Sequence, residues 1–169
     1  MKSRVIKYGD KVSTDSIIAG KYTKTLNIQD LGAHAMEDLD PGFHEKAAEC
    51  CVIAAGICFG CGSSREQAPV ALKVSGIKCV LAKDFSRIFY RNAINLGLCV
   101  AECNTDLIDE NDEIEYSVGD SLVHNCSKGV DIPVAPMPDI MKAILAAGGV
   151  VPYIKNQEQG GGHDGKDLC

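Results

Sequence analysis

A chain of 169 residues, 46% of them hydrophobic, has enough apolar material for one domain with a real core and is not a disordered polymer. Its net charge of −6, without a long basic run, argues against general nucleic-acid binding. The start, residues 1–7, is too charged for a signal peptide, and no apolar run reaches membrane-spanning length. Nine cysteines without an export signal predict reduced thiols in a cytoplasmic setting, with Cys51, Cys79 and Cys99 serving as small residues inside apolar strands.

The first predicted strand is 4–8, closed by Gly9-Asp10. Ser13, Thr14 and Asp15 then form a hydroxyl-and-acid turn before paired isoleucines. Residues 20–25 read as an exposed loop carrying two lysines. A helix is predicted over 27–38, with Leu31, Ala35 and Leu39 on one face, followed by a helical turn at 43–49. His34 and His44 have no metal-ligand context and read as surface or packing residues.

The next stretch is the most informative. An apolar run at 50–55 predicts a buried strand, Gly60 and Gly62 permit a sharp turn, and Ser63-Ser64-Arg65-Glu66-Gln67 opens a helix. Ser63 with Glu66, or Ser64 with Gln67, has capping-box spacing, and Pro69 is tolerable only in that helix's first turn. Strand, glycine turn and helix start predict an anion site, where unpaired N–H groups and the helix dipole favour negative charge. Arg65 adds a planar fork for a carboxylate, so a carboxylate or phosphate ligand is expected. Cys58-x-x-Cys61 is a weak metal or redox signal, because no second pair with ligand spacing accompanies it. Both thiols read as structural and no metal is assigned to this chain. No G-x-S-x-G elbow surrounds Ser63.

Beyond the motif, a helix carrying Ala68, Ala71, Leu72 and Ser75 ends at Gly76. A strand at 78–82, a helix at 87–96 capped by Asp84 or Ser86 and ended by Gly97, and a strand at 98–103 follow. The fold class is therefore α/β, with a parallel βαβαβ core and right-handed crossovers. Arg87 and Arg91 lie one turn apart, either solvated or facing a partner or the Arg65 loop. A hairpin of 114–118 with 121–124 across Gly119-Asp120 is added. Prolines 133, 136 and 138 precede a helix at 139–147, and 150–154 close the domain. One domain over 1–156 and a disordered tail at 157–169 complete the reading.

The string Gly60-Cys61-Gly62-Ser63-Ser64-Arg65-Glu66-Gln67-Ala68-Pro69 resembles the signature of the small subunits of 3-isopropylmalate dehydratase and homoaconitase, which correspond to the swivelling domain of aconitase. Residues 86–97, the opening segment at 13–18 and the ending, read as the family's last helix and strand, resemble the same family, so the likeness spans nearly everything from Val5 to Ile154. The opening departs from the family where Ser13 replaces an acidic residue.

The resemblance implies a swivelling β/β/α domain docked on a large subunit that bears a four-iron four-sulfur cluster, whose cysteines this chain should lack. It implies reversible dehydration of a small 2-hydroxy dicarboxylate, 3-isopropylmalate first, with 2,3-dimethylmalate, methylmalate-type or homocitrate substrates as alternatives. Residue by residue it makes Ser63 the base, Arg65 the carboxylate clamp and Ser64 a hydrogen-bond donor. Tyr22, Lys24 and Thr25 fall in the loop that selects the substrate's side group, although Tyr22-Thr23-Lys24-Thr25 matches neither the apolar isopropylmalate pattern nor the homoaconitase pattern with arginine at Lys24. The rival readings are a non-catalytic anion-binding protein and a thiol or metal protein built on Cys58 and Cys61. Neither nucleic acid nor membrane is an expected partner.

Overall fold

The computed structural model describes residues 1–25 and 27–160. Four strands, β1 (Lys2–Lys7), β2 (Val52–Ala55), β3 (Cys79–Ala82) and β4 (Cys99–Glu102), lie parallel in the order β4-β3-β2-β1. Short helices α1 (Thr14–Ile17), α2 (Ile28–Ala33) and α3 (Phe43–Glu49) connect β1 to β2; α4 (Gln67–Val74) and α5 (Arg87–Leu96) make the next two crossovers. Three antiparallel strands, β5 (Glu113–Glu115), β6 (Leu122–Asn125) and β7 (Val130–Pro133), continue the sheet from β1. The chain ends in α6 (Asp139–Ala146) and α7 (Val150–Gly160).

The alternation of side chains along β1 to β4 makes two cores. Ile6, Ile53, Ala55, Val80, Ala82 and Val100 pack under the helices against Leu72, Phe89 and Ile94. Val5, Val52, Ala54, Cys79, Leu81 and Cys99 face the other way and meet Ile114, Tyr116, Val123 and Ile132 of the antiparallel half. The sheet curls over this second core: Ala135 N–H donates to the Glu102 carbonyl at 2.8 Å, joining the chain after β7 to the end of β4. The result is helix on sheet on sheet, a β/β/α domain with the expected parallel core. Cys79 and Cys99 face each other across β3 and β4 with sulfurs 3.5 Å apart, buried as apolar filling.

Five local expectations need correction. The helix over 27–38 stops at Ala33, because Met36 takes a left-handed φ of 61° and donates its N–H to the Ile17 carbonyl at 2.8 Å. Leu39, predicted on the buried face, is 44% exposed. The hairpin register is Ile114 to Asn125 and Glu115 to His124, so its connection is longer than the turn at Gly119-Asp120. β7 lies where prolines suggested a break; its Pro133 ends an edge strand, where a missing N–H costs little. Residues 150–154, expected as a closing strand, begin α7, which takes in the tail boundary at 157; residues 161–169 lie outside the described residues.

Candidate active site

The loops leaving β1, β2 and β3 stay zipped after the strands end. Lys11 N–H donates to the Ile57 carbonyl, Gly60 N–H to Val12, Thr14 N–H to Cys61 and Ser86 N–H to Phe59, at 2.7–2.9 Å. A parallel sheet gathers loops at the carboxyl ends of its strands, and ligands of open α/β sheets bind there. The Ser63–Arg65 motif therefore lies beside the Ser13–Asp15 turn, although about fifty residues separate them.

Two glycines shape the motif loop. Gly60 has φ +75°, and a Cβ added there would stand 2.2–2.6 Å from Phe89. Phe89 in turn packs edge-on to Phe59, with centroids 5.2 Å apart. Gly62 has φ +101°, and its missing Cβ would meet the Thr14 hydroxyl at 3.3 Å.

Ser63 is exposed and bound to Thr14, which is 1% exposed. Ser63 N–H donates to Thr14 Oγ1 at 3.1 Å, and the two hydroxyl oxygens are 3.1 Å apart. Arg65 extends the same way: its guanidinium donates to the Asp15 carboxylate and, at 3.4 Å, to the Ile18 carbonyl, and it passes under Gly20. Ser64 is exposed beside them. Neither predicted capping box forms. α4 begins at Gln67 with Glu66 at its N-cap and no side-chain cap. Pro69 explains this, because a helix capped by Ser63 or Ser64 would require an N–H from Pro69 to an earlier carbonyl. At the third helical position that N–H is not needed. Ser63 thus stands four residues before the helix, and its hydrogen-bond partner is a threonine rather than the helix N-terminus.

The loop expected to select the substrate meets Arg65 at Gly20, but two of its three predicted residues are engaged elsewhere. Tyr22 O–H donates to Glu37 at 2.6 Å, and its ring stacks on His34 at 3.7 Å between centroids. Thr25 O–H donates to Asp30 at 3.0 Å. Lys24 is exposed and takes part in no ion pair among the described residues. Glu37 also receives Lys21 at 3.3 Å and His34 at 2.6 Å. Hydrogen bonds from Tyr22, His34 and Lys21 pull its carboxyl down to about 2. Arg87 and Arg91 remain exposed on α5.

Burial, then the neighbouring Cys58, push the Cys61 thiol up, which favours the inert, protonated form. Among the described residues no three His, Cys, Asp or Glu side chains converge as a metal site. No helix among them is long and apolar enough to cross a membrane.

The class of this domain is the aconitase C-terminal domain, whose family profile matches residues 14–105, the span that holds the Ser-Ser-Arg loop and strands β2 to β4. The chain is 50% identical to 3-isopropylmalate dehydratase small subunit 2 of Archaeoglobus fulgidus, over 92% of this chain and 94% of that one. It is 46% identical to the corresponding small subunit of Halothermothrix orenii, over 92% and 95%. The crystal structure of 3-isopropylmalate dehydratase (leuD) from Methanocaldococcus jannaschii superposes with a TM-score of 0.88 at 45% identity, covering 94% and 95%. The chain belongs to the 3-isopropylmalate dehydratase small-subunit family of the aconitase superfamily.

Proposed function

We propose that this chain is the small subunit of a hydro-lyase that dehydrates and rehydrates a 2-hydroxy dicarboxylate, 3-isopropylmalate by preference, and that it acts only when docked on a large subunit. The observation that carries this reading is an exposed Ser63 held by Thr14, with Arg65 of the same loop holding the neighbouring Asp15 carboxylate, at the loop ends of a domain that matches such subunits over nearly their whole length. The base is Ser63, which takes the proton from the substrate carbon. Arg65 clamps a substrate carboxylate, with Asp15 occupying that position when the site is open. Ser64 adds a hydrogen bond to the same anion. In the selecting loop Lys24 faces the substrate, while Tyr22 and Thr25 hold the loop against Glu37 and Asp30. A four-iron four-sulfur cluster is assigned to the large subunit, as membership of the aconitase superfamily suggests. The cytoplasm, with its reduced thiols, is the setting that nine cysteines favour.

The test is a hydratase assay of the pair, assembled with its large subunit anaerobically, comparing wild type with Ser63→Ala. Loss of the base is expected to lower kcat by about 10²–10⁴-fold. Activity that is indifferent to Ser63→Ala, or that needs no second chain, would remove the assignment. Exchange of residues 22–25 for an apolar loop, followed by a panel of 2-hydroxy diacids, tests Lys24; an unchanged preference removes it.

A further inference from the structure

We infer that Thr14 is the positioning residue that holds Ser63 ready to work as a base, by moving one hydroxyl proton between two acceptors. The inference rests on Ser63 being the base. Thr14 is fixed on every side. It is the first residue of α1, its backbone N–H donates to the Cys61 carbonyl at 2.8 Å, and its side chain is buried. Its oxygen accepts the Ser63 N–H at 3.1 Å and lies 3.1 Å from Ser63 Oγ, while its O–H also reaches the Ser63 carbonyl at 3.3 Å. A hydroxyl has one proton and two lone pairs. One lone pair takes the Ser63 N–H in every state. The other takes the Ser63 O–H while Ser63 is neutral, and the single Thr14 proton then points at the Ser63 carbonyl.

When Ser63 gives its proton to solvent, that arrangement inverts. The Thr14 proton rotates from the carbonyl, where the bond is long, to the ionised Ser63 oxygen, 3.1 Å away. The oxyanion gains a donor that is already buried and held, so little reorganisation is needed. A hydrogen bond to the charged form also lowers the pKa of the group that carries the charge. The helix dipole expected to do this lies beyond reach, since α4 starts only at Gln67. Gly62 keeps the contact open, because a side chain there would crowd the Thr14 oxygen. The charged and titratable groups in the two loops and α1 are Tyr8, Asp10, Lys11, Asp15, Cys58, Cys61, Arg65 and Glu66; Arg65 is paired with Asp15, Tyr8 O–H donates to Asp40, and the Cys61 thiol is pushed up.

The experiment compares Thr14→Val and Thr14→Ser with wild type in the assembled, cluster-loaded enzyme. It reads kcat and KM separately, kcat against pH, thermal unfolding, and amide hydrogen exchange across 61–65. Thr14→Val is isosteric and lacks the hydroxyl. It is expected to lower kcat by about 10–100-fold with KM within threefold, to move the limb where rate rises with pH upward, and to speed exchange at Ser63 N–H. Thr14→Ser, which keeps the hydroxyl, is expected to recover kcat to within about fivefold and to restore the pH limb. Three results would overturn the inference: Thr14→Val within twofold of wild type, an unmoved pH limb, or Thr14→Ser as slow as Thr14→Val with the same loss of thermal stability. The last result marks a structural threonine. If Ser63→Ala is inactive while Thr14→Val is normal, only this inference fails; if Ser63→Ala is active, the base assignment fails first.

Discussion

Gly60 decides how closely the motif loop approaches α5. Its φ of +75° suits glycine, and the Phe89 side chain occupies the space of the absent Cβ. Phe89 cannot retreat, because it stacks on Phe85 and packs against Phe59. Gly60→Ala therefore combines backbone strain with overpacking and is expected to cost about 2–4 kcal/mol in urea unfolding. A cost below about 0.5 kcal/mol would show that the loop relaxes and that the aromatic cluster does not fix it. At this scale the sequence was informative where the chemistry is local. Ser63, Ser64 and Arg65 sit in one string, so their clustering on one loop was legible. Their partners were harder to place. Thr14 and Asp15 lie 49 and 50 residues from the atoms they bind, and only the pairing of β1 with β2 brings the two loops into step. The capping boxes misled because their spacing was right, yet Pro69, visible in the same string, already fixed the helix start.

Among the elements, the short pieces between β1 and β2 are secured by side chains more than by helix length. Helices of four to seven residues are marginal alone, so contacts such as the one at Glu37 matter. Glu37 gathers Tyr22, Lys21 and His34, tying the loop at 20–25 to the end of α2. Its carboxyl falls from an ordinary 4.5 to about 2 in the folded chain. A depressed carboxyl stabilises the fold above its unfolded value and loses that contribution as pH falls through the folded value. Glu37→Gln should thus lower the urea midpoint at pH 5 and above, and the gap from wild type should close between pH 4.5 and 2. A constant gap across that range would show that the charge is not what holds the loop. Long, regular elements were legible: α5 and its terminal Gly97, with φ +73°, stand where the pattern put them. The failures share a cause. α2 is cut short by a contact with Ile17, Val150-Val151 reads as β-branched strand yet opens a helix after two left-handed glycines, and β7 buries only Ile132 on its inner face. Each is set by tertiary packing, which local periodicity does not encode.

At the scale of the whole molecule, both faces of the parallel strands are already covered, by helices on one side and by the curled antiparallel half on the other. Together with the first turn of α5, the carboxyl-end loops that hold Ser63 and Arg65 carry two exposed large apolar side chains. Ile57, on the loop after β2, is 40% exposed, and Ile88, in the first turn of α5, is 49% exposed, with Arg87 and Arg91 exposed on the same helix. Such side chains around the proposed anion clamp and base suit the face on which the proposed large subunit would close, excluding water as it supplies the other half of the chemistry. Ile88→Glu tests this without touching the motif. An exposed position contributes little to folding, so the unfolding midpoint of the free chain should stay within about 0.5 kcal/mol of wild type. A side chain buried on docking is worth about 1.5–3 kcal/mol, and a carboxylate there also carries a desolvation cost, so affinity for the large subunit should fall at least about tenfold in a sedimentation titration. Affinity within twofold of wild type, with Ser63→Ala still inactive, would keep the catalytic residues and move the docking face away from α5.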